Sequence, residues 1–279
     1  MELKDFKKNK DFLICVDSDG CAMDTMDIKH IRCFGPCMVD EWGLDADREA
    51  ILKRWNEINL YTMTRGINRF KGLALALREI NDGGTPVDDL ASLEKWVNES
   101  DELSNGALEK AADETGSTCL KKALSWSIAV NESINALPFS QKKPFDGAAD
   151  GLKFAHRFAD IAIVSSANLD AVVEEWDLYG LSDHVDIILA QNVGSKAFCI
   201  SELLKKGYSR GHVMMTGDAP GDRDAAKKNG VFYFPIMVKH ETDSWREFKE
   251  TAVLKLVNGE YGGDYQNEKI TAFEKNLGA

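Results

Sequence analysis

Apolar positions fall into two patterns along this chain. Apolar runs at 12–16, 161–164, 185–189, 213–216 and 231–234 have no regular polar alternation, although Asp186 interrupts the third. A strand covered on both faces, as in a parallel sheet, requires such runs. Between and after them, 147–158, 169–179, 196–206 and 225–229 carry apolar residues at helical spacing, the last ending at Gly230 in the manner of a C-terminal glycine cap. Strands alternating with helices predict an α/β fold, a Rossmann-like doubly wound parallel sheet with right-handed crossovers. The polar residues that end three of the runs, Asp17, Ser165 and Asp218, then share one sheet edge.

One long stretch breaks the alternation. From about 45 to 137 the period is helical throughout, with segments at 46–58, 70–80, 90–97, 102–114 and 119–137 and a turn-rich break at 81–86. Residues 25–138 therefore read as a separate α-helical domain inserted into a discontinuous core made of 1–24 and 139–279. The tail 244–279 reads as helix, turn and helix, packed against the core or a partner chain.

The sequence has 279 residues and 29% charged positions, with a net charge of -12, which argues against a nucleic-acid surface. No apolar run is long enough for a membrane span or a signal peptide, so a cytoplasmic setting is expected. The six cysteines are scattered in a chain too large to need stapling, which fits that setting. Cys33 and Cys37 form a loose pair without a second pair or a nearby His to complete a zinc set.

Chemistry concentrates at Asp17-Ser-Asp19-Gly20. Two acids one residue apart at a strand end repel unless a cation or a shared proton intervenes; the alternative is a pair of solvated turn residues. Hard oxygen donors favour Mg²⁺. Further along stand Ser165-Ser166, Lys196, and Gly217-Asp218 with Asp222. Phosphoryl transfer needs an in-line nucleophile, charge neutralisation and a proton source for the leaving oxygen. Asp17, first off the strand, is the candidate nucleophile and Asp19 the candidate general acid and base.

These four motifs, in this order, resemble those of the haloacid dehalogenase-like hydrolases, and the helical insert is similar to that superfamily's C1-type cap. The resemblance implies a phosphatase with Asp17, Asp19, Ser165 and Lys196 as catalytic residues. It further implies Mg²⁺ held by Asp17, the backbone carbonyl of Asp19, and Asp218, with Asp222 steadying the metal's waters or Lys196. Phosphate would be bound by Ser165 and Lys196, with Ser166 a competing hydroxyl. A helix N-cap is the alternative for Asp222. Gly194-Ser-Lys196 lacks the following proline common in relatives, and Cys21 stands where threonine is common.

Asp19 favours phosphate over halide, because dehalogenases of this superfamily need no acid there. The loop 64–72, with Arg65, Asn68, Arg69 and Lys71, resembles a substrate-specificity loop. The implied partner is a small phosphorylated metabolite. A sugar-phosphate mutase is the enzymatic rival, and phosphonate hydrolysis would need a Schiff-base lysine such as Lys53 or Lys71. A phosphoacceptor module without turnover is the rival from another class.

Overall fold

The computed structural model describes residues 2–279. Two compact units are present, one running through Met26 and resuming at Phe139–Ala279, the other Asp27–Pro138.

In the first unit, β1 (Phe12–Val16) is buried apart from its first residue. Gly20 follows at φ 80°, a left-handed conformation that residues with a Cβ adopt at a cost. It turns the chain back into a two-residue strand, β2 (Met23–Asp24).

The second unit is all-helical. The helix α1 (Met26–Lys29) passes through a π turn (His30–Phe34) into α2 (Gly35–Trp42). After it come α3 (Arg48–Asn56), continued by a second π turn (Glu57–Tyr61), then α4 (Arg69–Asp82), α5 (Leu90–Glu99), α6 (Asn105–Thr115) and α7 (Thr118–Asn135). Helices α3 to α7 lie where the periodicity predicts them. The helical path through 26–42 does not appear in that reading, because Gly35-Pro36 looks like a break. Pro36 instead lies within a continuous helical path, directly after the π turn, where Phe34 and Gly35 keep right-handed helical angles and Gly35 N donates to His30 O.

Stacked and edge-on aromatics fill this unit, among them Phe34, Trp55, Phe70 and Trp126. Two members of the expected specificity loop serve the unit's own packing. Asn68 accepts from Phe70 N at 3.0 Å as the N-cap of α4 and donates to Leu103 O. Arg69 lies over the Phe34 ring and donates to Ser127 Oγ at 3.1 Å and Asn131 Oδ1 at 2.8 Å. Arg65 is buried, donates to Leu60 O at 2.7 Å and faces Asp27 at 3.8 Å, while Lys71 is exposed. Asn68 and Arg69 thus also serve the helical unit's own packing.

Back in the first unit, β3 (Lys143–Pro144) pairs antiparallel with β2. Then α8 (Ala148–Ala155), β4 (Ala159–Val164), α9 (Leu169–Leu178), β5 (Ile187–Leu189), α10 (Lys196–Leu204), β6 (Val213–Gly217), α11 (Pro220–Asn229) and β7 (Phe232–Pro235) alternate. The sheet order is β5-β4-β1-β6-β7, with every neighbouring pair parallel. Because β1 is central and parallel to both neighbours, the carboxyl ends of β4, β1 and β6 emerge side by side. Helix α11 begins at Pro220, five residues earlier than the sequence reading placed it, since Pro-Gly here starts a helix rather than a turn.

The tail forms α12 (Glu241–Glu247), a π turn (Phe248–Ala252), α13 (Val253–Val257) and α14 (Asp264–Asn276). It packs on the same unit. Gln266 Oε1 accepts from Tyr233 N at 3.0 Å and Tyr261 donates to Tyr233 O at 2.7 Å, so the outer edge of β7 is satisfied rather than left open to pairing. Among the described residues no helix is long and apolar enough to cross a membrane. Among the described residues no cysteine forms a disulfide, Cys33 and Cys37 included.

Candidate active site

The carboxyl ends of β1 and β6 carry the site. The last hydrogen bond between β1 and β6 joins Asp17 N to Thr216 O at 2.9 Å, while β6 stays paired with β7 through Gly217. Asp17, Asp218 and Asp222 are buried, and each offers a carboxylate oxygen within 4.8 Å of the others. Lys196, the first residue of α10, places Nζ 2.7 Å from Asp17 Oδ2 and 2.6 Å from Asp222 Oδ1.

Three acids and one lysine leave this buried cluster short of positive charge. Burial pushes the Asp17 carboxyl up to about 7, against the pull of Lys196, and Asp222 adds to the rise. Asp222 is likewise raised by burial and by Asp218, again against Lys196. Burial opposes the Lys196 charge too, yet Asp17 and Asp222 outweigh it and hold the ammonium above its ordinary range. The thiol of Cys21 is pushed well up by burial and by the neighbouring acids, which makes it inert.

Asp222 holds Lys196 and serves the start of α11 as its third residue, not as the N-cap, which is Ala219. It sits in the first turn of α11, where its Oδ2 accepts from Ala219 N at 3.1 Å and so satisfies the helix start, while Oδ1 holds Lys196. Gly217 makes this approach possible. A Cβ there would stand 2.3 Å from the Asp222 carboxyl carbon. Gly217→Ala is expected to displace Asp222 from Lys196, destabilise the protein by about 3 kcal/mol and remove catalysis. Thermal unfolding and an activity assay on the same preparation check this.

Asp19 stands apart from the group formed by the other carboxylates. Its Oδ1 accepts from the Thr25 hydroxyl at 2.6 Å, and Thr25 is fully buried. The third carboxylate drawn into the acid group is thus that of Asp222, not that of Asp19. Thr25 was missed in the sequence; the available signal was a hydroxyl just after the short strand that returns beside Asp19.

Ser165 follows β4, next to β1, and is 2% exposed. Its Oγ accepts from Ala167 N at 3.1 Å, which shapes the turn into α9, where Asn168 caps the helix. Ser166 lies exposed on the same turn. The sheet order therefore brings Ser165 to the edge that bears Asp17 and Asp218. Lys53 belongs to α3 in the second unit, where its Nζ is 4.0 Å from Glu57.

Comparison with known proteins agrees with this geometry. The model of the family described as haloacid dehalogenase-like hydrolase matches residues 91–236, over half of the chain and including Ser165, Lys196, Asp218 and Asp222. A "putative phosphoglycolate phosphatase" from Lactobacillus delbrueckii subsp. bulgaricus superimposes with a TM-score of 0.52 at 14% identity, over 91% of this chain and 100% of that one. A haloacid dehalogenase-like family hydrolase from Streptococcus pneumoniae gives 0.45 at 13% identity, covering 88% and 97%. A defluorinating L-2-haloacid dehalogenase gives 0.43 at 15%, covering 85% and 86%. No curated protein matches by sequence. With the family model matching through three of the four polar sites on a five-stranded parallel sheet, the chain belongs to the haloacid dehalogenase-like hydrolases.

Proposed function

We propose that this hydrolase is a Mg²⁺-dependent phosphomonoesterase that acts on a small phosphorylated metabolite through a phosphorylated Asp17. The observation that carries the reading is the second acid, Asp19, held by Thr25 beside a nucleophile that Lys196 contacts at 2.7 Å. An ester formed by displacing halide needs no proton at its leaving group; an alkoxide leaving phosphorus does.

The donor set fits a hard divalent cation: three buried carboxylates come within 4.8 Å of one another and every donor is oxygen. Asp17 and Asp218 would hold it, with Asp222 engaged by Lys196. Bound there, Mg²⁺ would neutralise charge on the transferring phosphoryl group.

The chain's own groups do the rest. Asp17 attacks phosphorus and becomes the aspartyl-phosphate, while Lys196 offsets charge on the phosphoryl oxygens. Ser165 and the turn amides after it receive another oxygen. Thr25 engages Asp19 Oδ1 and so orients the carboxyl group. Asp19 delivers a proton to the leaving oxygen and later draws one from the water that hydrolyses the intermediate. The helical unit would act as the cap that selects the leaving group and excludes water.

A panel of phosphorylated metabolites and an aryl phosphate, each with Mg²⁺ and with chelator, tests the proposal. Release of phosphate that needs Mg²⁺ is expected; no hydrolysis of any phosphomonoester alongside turnover of a haloacid would contradict it.

Stability should report the same cluster. Asp17 has an ordinary value of 3.8 and a folded value of about 7, so its contribution is fully present below 3.8 and is lost as pH rises through 7. Metal-free protein is therefore expected to melt lower at pH 8 than at pH 5, and Mg²⁺ to raise the melting temperature more at pH 8. Calorimetry in chelator and in Mg²⁺ at the two pH values checks this; an equal Mg²⁺ shift at both would count against the cluster.

A further inference from the structure

Two indole N–H groups close on the turn that carries Asp17 and Asp19. Trp176 of α9 donates from Nε1 to Ser18 Oγ at 2.9 Å, and Trp245 of α12 donates from Nε1 to Cys21 O at 2.9 Å. Both tryptophans, Ser18 and Cys21 are 0% exposed. Neither bond is needed to build the sheet.

The turn itself is organised on Ser18. Its carbonyl accepts from the amides of Cys21, Ala22 and Met23 at 3.3, 3.0 and 2.9 Å, and its own amide donates to Asp17 Oδ1 at 2.8 Å. The sheet stops holding the chain at Asp17. Past that point the direction of both acids depends on what fixes Ser18 and the residues after Gly20. Trp176 grips the first and Trp245 the second.

Each anchor is itself locked. Trp245 lies against Gly151, where a Cβ would come within 2.7 Å of the indole, and packs edge-on against Phe248 at 5.1 Å. Trp176 is embedded in the main apolar cluster of its unit. A buried indole N–H without an acceptor is costly, so each ring position and each turn position determine one another.

We infer that Trp176 and Trp245 are positioning residues that set the aim of Asp17 and Asp19, an inference that rests on the proposed roles of those two acids. Trp176 also couples two parts of the site, since α9 grows directly out of the turn at Ser165. Misplacing a reacting group slows the chemical step more than it weakens ground-state binding. Loss of packing alone would lower stability and leave the rate of the folded enzyme unchanged.

The test uses Trp176→Phe, Trp245→Phe and Ser18→Ala in the full-length chain, with an aryl phosphate and Mg²⁺. Each Trp→Phe variant keeps an aromatic ring and loses the donor. We expect kcat to fall about tenfold or more while KM changes less than about threefold, with the pH limb set by Asp19 displaced. Ser18→Ala should reproduce Trp176→Phe, and the two together should cost no more than either alone.

Folded Trp→Phe variants with wild-type kcat and an unmoved pH profile would overturn the inference, whatever their melting temperatures. Where a Trp→Phe variant does not fold, Ser18→Ala decides: a wild-type rate there overturns the role of Trp176. Asp17→Asn in the same assay reads the nucleophile assignment separately, so failure of the clamp and failure of the proposed function give different results.

Discussion

Replacing Asp17 by Asn is expected to lower turnover of an aryl phosphate by about 10⁴-fold or more, while the metal-free protein melts no lower than wild type and by preference higher. The two halves have one cause. Asp17 is the side chain proposed to bond to phosphorus, and an amide is no substitute. It is also a buried carboxyl that burial drives up to about 7, so its charge is a burden on the fold at neutral pH. Asn keeps the volume and removes that charge, while Lys196 retains Asp222 at 2.6 Å. A stability gain on deletion of an active-site charge is the expected sign for a strained functional group. Paired kinetics and thermal melts in chelator provide the check; activity within tenfold of wild type would remove Asp17 from the mechanism.

Lys196→Met should act in the opposite direction on stability. The side chain is 14% exposed and bridges two buried acids, so removing it takes away the cation that Asp17 and Asp222 share. Breaking a buried pair from one side costs about 3–5 kcal/mol, which for a chain of this size lowers the melting temperature by about 10 °C. The loss depends on the ionisation of the carboxyls that remain. It should be largest at pH 8 and smaller at pH 5, where the raised Asp17 and Asp222 carboxyls take up protons instead. Mg²⁺ should return part of the stability but not the turnover, since Lys196 also offsets charge on the phosphoryl group. A loss of stability equal at both pH values would mean that Lys196 supports the fold by packing alone.

Much of the site was legible because its supports are local. The uninterrupted apolar stretch before Asp17 and the similar one before Gly217 can be covered on both faces in one kind of sheet, and that sheet forces their polar ends together. Lys196 is marked in the sequence by its place ahead of Asp218 in the motif order of the resembling family. What stayed hidden depends on distant parts of the chain. The bonds of Trp176 to Ser18 and of Trp245 to Cys21 join positions 158 and 224 residues apart. No spacing in the sequence marks them.

Other misreadings have local causes. Gly35-Pro36 and Pro220-Gly221 look like turns in a string of letters, yet Pro36 follows a π turn within a continuous helical path and Pro220 starts α11. Arg69 looked like a surface cation because charge was the visible property. The Phe34 ring beneath it and its bonds to Ser127 and Asn131 appear once the helices are packed. Asn68 is also a helix cap, whose signature, an amide just before a periodic run, is present in the sequence.

Rapid acid quench of the enzyme during turnover of an aryl phosphate, followed by peptide mass spectrometry, addresses the chemistry most directly. The peptide that contains Asp17 should carry the added mass of one phosphoryl group, should accumulate it in Asp19→Asn, and should yield homoserine at position 17 after borohydride reduction. Steady turnover with that peptide unmodified at every quench time, in wild type and in Asp19→Asn alike, would contradict attack by Asp17 on phosphorus.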